Sequence, residues 1–300
     1  MKNNNNPTVL VCLASYNGGL YIADQLNSIL NQKNCNVKIV ISDDNSTDNT
    51  KEVIELFMKQ NKNIFLLKNQ TFQKGSNTNF YNLIKKAKDF RCDYVAFSDQ
   101  DDIFIPNKFI KQINTIKDND KVVGCSSSVK CFGISKMILI QSPNITSYDF
   151  IFEGAGQGCT FLVKKYFFDD FSMYIEKKYN LVSHFLFHDW LCYLYCRSSN
   201  MQWIFMKEPL VKYRIHNNNS FGNKYSFLGM KNRILKLFSG WYYNQILLAN
   251  KIASDINPKI PNIFQLRIYK LIYLLIFKSR RKKSDRLFAF ISLILCHLFK

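Results

Sequence analysis

Three aspartates in four positions close the stretch Asp93-Tyr94-Val95-Ala96-Phe97-Ser98-Asp99-Gln100-Asp101-Asp102, an apolar run that ends in carboxylates. Carboxylates this close repel one another and lose hydration wherever they are partly buried, so such a cluster usually exists to hold a cation. In an extended segment alternate residues point the same way, which turns Asp99 and Asp101 toward one ligand and Gln100 and Asp102 toward the other side. A divalent cation there would bridge diphosphate oxygens and neutralise charge on a departing nucleotide. An Asp-x-Asp pair alone is a weak signal, because acidic turns are common and usually solvated. Its place at the end of a buried strand strengthens it.

Other stretches carry chemistry with a plainer alternative beside each. Asp43 and Asp44 could serve a ligand or simply cap a helix, as could Asp189 in His188-Asp189-Trp190, since Asp is favoured ahead of helices. Gly154-Ala155-Gly156-Gln157-Gly158 lets backbone approach a ligand closely, because glycine lacks a Cβ. It is not a phosphate loop, as no Gly-Lys-Ser/Thr follows.

The elements that must position these residues read as strands alternating with helices. Thr8-Val9-Leu10-Val11-Cys12-Leu13-Ala14 is a nearly all-apolar run of the kind a parallel strand covered on both faces requires. It ends in the turn Ser15-Tyr16-Asn17-Gly18-Gly19, after which Tyr21, Ile22, Gln25, Leu26, Ile29 and Leu30 recur at helical spacing. Val37 to Ser42 repeats the strand, Asp43 to Asp48 the turn, and Val53, Ile54, Leu56 and Phe57 the helix, with Asn49 and Glu52 spaced as a capping box. A third strand at Ile64 to Leu67, a helix through Phe80, Leu83, Ile84 and Ala87, and a fourth strand into the aspartates complete a right-handed, mostly parallel α/β sheet flanked by helices. Ligands of such sheets bind beyond the carboxyl ends of the strands, where Ser15-Tyr16-Asn17, Asp43-Asp44 and Asp99-Gln100-Asp101 all fall. Past Pro106 the pattern loosens: Val122 to Cys125 and Cys159 to Val163 predict further strands, and Asp189 to Tyr195 the start of a helix.

With 300 residues and 47% hydrophobic content the chain has a full-sized core, which excludes a disordered or fibrous protein. The formal net charge of +19 is uneven: residues 1–120 carry 15 basic and 13 acidic side chains, so +17 belongs to the second half. Part of that excess matches a composition rich in Asn, Lys, Ile, Phe and Tyr. Nine cysteines without a Cys-x-x-Cys pair predict free thiols in a reducing compartment, and Met1 to Pro7 is a polar lead-in without an apolar core. The expectation is cytoplasmic.

Taken in order, Ser15-Tyr16-Asn17-Gly18, Ser42-Asp43-Asp44-Asn45-Ser46-Thr47-Asp48, Asn79-Phe80, Asp99-Gln100-Asp101-Asp102 with Pro106 and Lys108, Gly156-Gln157-Gly158-Cys159-Thr160 and His188-Asp189-Trp190 resemble the motifs of family 2 glycosyltransferases. The likeness spans residues 8 to 220 and is nearest to bacterial rhamnosyltransferase-type enzymes. It implies a GT-A fold over residues 1–225 and a helical extension over 226–300. It further implies that Ala14, Ser15 and Asp44 meet a pyrimidine base, Asp99 the ribose, and Asp101 a Mn²⁺ or Mg²⁺ on the diphosphate. Tyr16, Asn17, Asp43 and Gln100 join the nucleotide-sugar site, Gly156 and Gly158 line its sugar and acceptor side, Arg214 adds positive charge, and Asp99 and His216 complete the metal ligands. Asp189 is the expected general base of an inverting transfer to a hydroxyl of a lipid-linked or polysaccharide acceptor. One departure is Phe104, where related sequences often carry Trp; the apolar platform stays and the indole donor is lost.

From Asn262 onward the character changes. Residues 264–300 hold nine Lys or Arg and one Asp, set among two apolar runs, each short of the ~18–20 residues a spanning helix needs. Basic, aromatic-rich helices of this kind predict a segment lying on the anionic inner membrane surface, against the plainer reading of a hydrophobic hairpin closing the core. Two other classes compete with sugar transfer: a metal-dependent nucleotidyltransferase, and a non-catalytic basic module on membrane or nucleic acid. Nucleic acid is disfavoured because the basic residues accompany aliphatic runs and not aromatics on a strand platform.

Overall fold

The computed structural model describes residues 6–67, 75–134, 136–141, 144–216, 240–287 and 290. β1 (Thr8–Ser15) runs between β2 (Asn36–Asp43) and β4 (Tyr94–Ser98), parallel to both, and β3 (Ile64–Leu66) extends the sheet beyond β2. This parallel half is the frame the apolar runs predict. Its two-faced burial follows from strand alternation: Leu10, Cys12 and Ala14 enter one hydrophobic cluster, Val9, Val11 and Leu13 the other.

The second half adds strands in both senses. β5 (Ile103–Phe104), β6 (Val122–Gly133), β7 (Ile138–Leu139), β8 (Phe161–Lys164) and β9 (Gln202–Ile215) give the order β3-β2-β1-β4-β8-β6-β9-β5, with β7 on β6. β8 is antiparallel to β4 and β6, while β6 and β9 pair in parallel over Val122 to Gly133 with bulged register. The strand expected from Cys159 starts at Phe161, because Gly158–Thr160 form a 3₁₀ turn closed by Thr160 N–H on Gln157 O at 2.9 Å.

Helices α1 (Ile22–Leu30), α2 (Thr50–Gln60) and α4 (Lys108–Ile116) cover one face through Leu26, Ile54 and Phe109. The other face takes α3 (Ser76–Ala87), α5 (Asp149–Phe152), α6 (Lys165–Lys177), α7 (Tyr179–Val182), α8 (His188–Ser198), α9 (Trp241–Ile256) and α10 (Ile268–Phe277). The capping box predicted from Asn49 and Glu52 does not form. Asn49 makes no side-chain cap bond, and Asp48 Oδ1 accepts from Thr50 N–H at 3.1 Å. Asp48 wins because its other oxygen also takes Gly19 N–H at 3.0 Å, tying the start of α2 to the turn after β1.

α10 has two faces. Leu271, Leu274 and Leu275 are buried, whereas Ile268, Tyr269, Tyr273, Ile276 and Phe277 are exposed. Three buried leucines contribute roughly 5–8 kcal/mol as an upper bound, enough to hold one turn-rich helix against the body. No helix among the described residues is long and apolar enough to cross a membrane. The second apolar run, Leu287 to Phe299, and Asn217 to Ser220 after His216 lie almost wholly outside the described residues.

Candidate active site

The turns after β1 and β2 lock each other. Ser15 Oγ donates to Asp43 Oδ1 at 3.0 Å, Ser46 N–H to Asp43 Oδ2 at 2.8 Å, and Asp44 N–H to Ser15 O at 2.8 Å. Asn17 N–H donates to Ser46 Oγ, and Asn17 Oδ1 accepts from Thr47 N–H, both at 2.8 Å. Asn17 and Asn45 both take left-handed backbone, φ 48° and 58°, a region Asn tolerates better than most residues. Asn79 reaches across from α3 to donate to Ser42 O at 2.8 Å, and Gly75 N–H donates to Asp44 Oδ2 at 2.7 Å. Asp43 is thereby the buried organiser of the turn, and Asp44, also buried, links the end of β2 to the start of α3.

The acidic strand end sits beside these turns. Gln100 holds Tyr16 by both backbone groups, accepting its N–H and donating to its carbonyl, each at 2.8 Å. A Cβ at Gly18 would strike that Gln100 amide, so a larger residue there would have to displace the side chain that holds Tyr16. Ala14 is buried at the end of β1 and Tyr16 is exposed. Gln25, buried on α1, donates to Ser98 Oγ at 2.7 Å, and Ser98 donates on to Asp99 O at 2.8 Å. Asp102, expected on the side away from Asp99 and Asp101, is fully buried, its Oδ1 accepting from Arg214 N–H at 3.1 Å. Burial next to Asp101 and Asp99 drives its carboxyl well up, and among the described residues its Oδ2 lacks a partner.

β9 delivers the basic counterpart. Arg214 Nε donates to Asp101 O at 2.8 Å, and its guanidinium lies between the rings of Tyr21 and Phe132 at 4.7 and 4.6 Å. His216 stacks on Tyr21 with centroids 5.1 Å apart, and its Nε2 stands 2.8 Å from Asp101 Oδ2. Tyr21 and Asp24, which bonds Arg214 at 3.1 Å, were not singled out from sequence as site residues. Their three-residue spacing straight after the first turn was a signal, masked by reading Tyr21 as part of an apolar stripe.

Of the metal ligands expected from the resemblance, the structure brings Asp101 and His216 together and sets Asp99 in a different group, with Asp102 and Cys159. Asp101 and His216 touch, and the ligand atoms of Asp99, Asp102 and Cys159 lie within 4.8 Å of one another. Carboxylate oxygens with one imidazole suit Mn²⁺ and admit Mg²⁺; the buried thiol of Cys159, pushed up by burial and by Asp102 and Asp99, is the wrong donor for either. Asp101 and His216 offer a carboxylate and an imidazole that fit a divalent cation, while among the described residues Asp99 does not share one ligand cluster with both of them. Asp99 itself is raised to about 7, by burial first and then by the charges of Asp101 and Asp189, which is the electrostatic gap a cation would fill.

Asp189 opens α8 in the same electrostatic neighbourhood. Its Oδ1 accepts from Trp190 N–H at 2.7 Å, and Gly158 packs beside it. Burial raises it to about 6 against the opposing pull of the backbone N–H groups around it. His188 stacks on Phe80 at 3.5 Å and is held neutral by burial, its pKa lowered to about 3. A Cβ on Gly158 would lie 2.7 Å from His188 Nε2 and 3.3 Å from Asp189 Cβ, so the glycine is what admits this contact. Gly156, at φ +113°, packs on the Gln141 amide, one layer further out.

Comparison with known proteins agrees with this geometry. The model of glycosyl transferase family 2 matches residues 10–180. The chain is 34% identical over 289 residues to the dTDP-rhamnosyl transferase RfbG of Shigella flexneri, covering 94% of this chain and 99% of that one. Among solved structures it resembles S. aureus TarS residues 1–349 with UDP-GlcNAc, with TM-score 0.54, 14% identity, and coverage of 89% of this chain and 79% of that one. It also resembles the mannosyltransferase PcManGT of Pyrobaculum calidifontis with GDP-Man and Mn²⁺, with TM-score 0.54, 12% identity, and coverage of 98% and 87%. At that identity these structures bear on the fold, which is GT-A. The acidic strand end, the paired turns and the family match lead to one conclusion: the chain belongs to glycosyl transferase family 2 and is a nucleotide-sugar glycosyltransferase of rhamnosyltransferase-like kind.

Proposed function

We propose that this protein transfers rhamnose from dTDP-rhamnose, with inversion, to a hydroxyl of a lipid-linked or polysaccharide acceptor. The observation that carries the donor is the 34% identity to a dTDP-rhamnosyl transferase along nearly the whole of both chains. Asp44, Ser15 and Ala14 border the base and Asp99 the ribose. Asp101, Asp99 and His216 would hold a Mn²⁺ or Mg²⁺, which when bound would supply positive charge to the diphosphate. Tyr16, Asn17, Asp43 and Gln100 shape the donor pocket, and Arg214 adds charge at its rim. Asp189 takes the acceptor hydroxyl proton as that oxygen attacks the anomeric carbon. The bond to the diphosphate breaks and dTDP leaves with the electron pair, so one displacement inverts the centre.

The acceptor side is Gly156 and Gly158, and the site of work is the cytoplasmic face of the membrane. The exposed apolar face of α10 and the exposed Arg267, Lys270, Lys282 and Lys283 beside it support that placement. The test is a panel of dTDP-rhamnose and other nucleotide-sugars with Mn²⁺ or Mg²⁺, with lipid-linked glycan extracts as acceptor. Release of dTDP with rhamnose incorporated is the expected result. Turnover of a different donor with dTDP-rhamnose untouched refutes the donor, and release of pyrophosphate marks a nucleotidyltransferase instead.

A further inference from the structure

The basic run after α10 is not one surface. Arg281 turns inward and is buried, donating from Nη1 to Asp149 Oδ2 at 3.0 Å, from Nη2 to Gly154 O at 2.6 Å, and from its backbone N–H to Glu153 Oε1 at 2.6 Å. Asp149 is itself fully buried and takes Arg197 Nη1 at 3.0 Å and Tyr193 Oη at 2.7 Å. Arg280 adds a contact to Glu153 at 3.3 Å. A buried carboxylate held by two guanidiniums is a rigid fixture, because releasing one partner strands charge in a low dielectric.

What this fixture holds is the segment 149–158. Phe150 O accepts from Trp190 Nε1 at 2.7 Å, and Gly154 packs so closely on Trp190 that a Cβ there would stand 3.1 Å from Trp190 Cβ. At the far end of the same segment, Gly158 packs so closely on Asp189 that a Cβ there would stand 3.3 Å from Asp189 Cβ. The segment thus grips Asp189 and its neighbour Trp190 from three points, and Arg281 fixes its near end. Resting on Asp189 as the base, we propose that Arg281 is a positioning residue which, from the far end of the chain, sets where the Asp189 carboxylate stands.

The test compares full-length Arg281→Lys and Arg281→Met with the parent and with the exposed control Lys283→Met. The first readout is amide hydrogen exchange, which needs no substrate. The Trp190 amide, bonded to Asp189, and the Gly158 amide packed beside it should exchange about 10-fold faster in Arg281→Met and about 3-fold faster in Arg281→Lys. The Ser46 and Gly75 amides on the donor side should stay within about twofold in both. With dTDP-rhamnose as probe, KM should hold while kcat falls about 10- to 100-fold in Arg281→Met and recovers partly in Arg281→Lys. Unchanged exchange at Trp190 and Gly158 in Arg281→Lys overturns the proposal, as does equal acceleration at Ser46 and Gly75, which marks general loosening. If Arg281→Met does not fold, Arg281→Lys alone decides by the same amides. Failure of the parent to use dTDP-rhamnose counts against the donor reading and leaves the exchange result standing.

Discussion

At the residue scale, the division of labour among carboxylates follows from their surroundings. Asp189 is raised to about 6 from an ordinary 3.8 by burial, so a base role requires it to lose its proton in the physiological range. The transfer rate should therefore rise as pH passes upward through about 6 and plateau above it; a rate flat from pH 5 to 8 contradicts Asp189 as the limiting base. The sign for stability is opposite. Between 3.8 and about 6 the native state binds the extra proton, so the carboxyl's contribution falls as pH rises through that window. Asp189→Asn should consequently melt no lower than the parent at pH 7.5. Asp101 is the other informative residue, since its side chain meets His216 Nε2 at 2.8 Å. Asp101→Asn should cut Mn²⁺-dependent turnover by at least about 100-fold while Tm moves little, because the neutral amide still reaches His216 but is a poor cation ligand. Turnover within threefold of the parent would remove Asp101 from the metal site.

At the element scale, the site is made by backbone ends. The turn after β1, the turn after β2 and the acidic turn after β4 were legible in the sequence, because each follows an apolar run long enough to be a buried strand. The cap of α2 was not, as Asn49 and Asp48 compete for one role and the winner is decided by Gly19, a contact across 29 residues. Nor was the burial of Asp102, since strict alternation holds only while the backbone stays extended, and here Arg214 N–H pulls it inward from β9. The 3₁₀ turn at Gly158–Thr160 gives a direct test of how close α8 must come. Gly158→Ala should lower transfer about 10- to 100-fold with dTDP affinity held within about twofold, since the atoms nearest the added methyl belong to His188 and Asp189. A loss of dTDP affinity equal to the loss of transfer would place Gly158 with the donor instead.

At the scale of the whole molecule, the second half carries +17 of the net charge, yet its arginines and lysines do different things. Arg197, half-buried, and Arg281, buried, both pair with Asp149, a contact that joins residues 48 and 132 positions apart and leaves no local trace in the sequence. Lys282 and Lys283 remain exposed, together with the outer face of α10. Deleting residues 264–300 would strip Leu271, Leu274, Leu275 and Arg281 from the body, so membrane contact is better probed by point changes. Tyr273→Glu with Phe277→Glu should reduce co-flotation with vesicles of anionic phospholipid at least about fivefold while leaving Tm near the parent's. Flotation unchanged by that pair would count against α10 as the contact. The parallel half of the sheet was readable because strand and helix alternate in sequence; the order β4-β8-β6-β9 was not, because those pairings close over long separations. The central claim joins both halves, with the donor held at the strand ends and the proton taken at α8. It is tested most directly by Asp189→Asn beside the parent, measuring dTDP affinity and rhamnose transfer from dTDP-rhamnose in one preparation. The expected result is dTDP affinity within about twofold and transfer lower by about 10²- to 10⁴-fold; transfer at the parental rate would contradict the account.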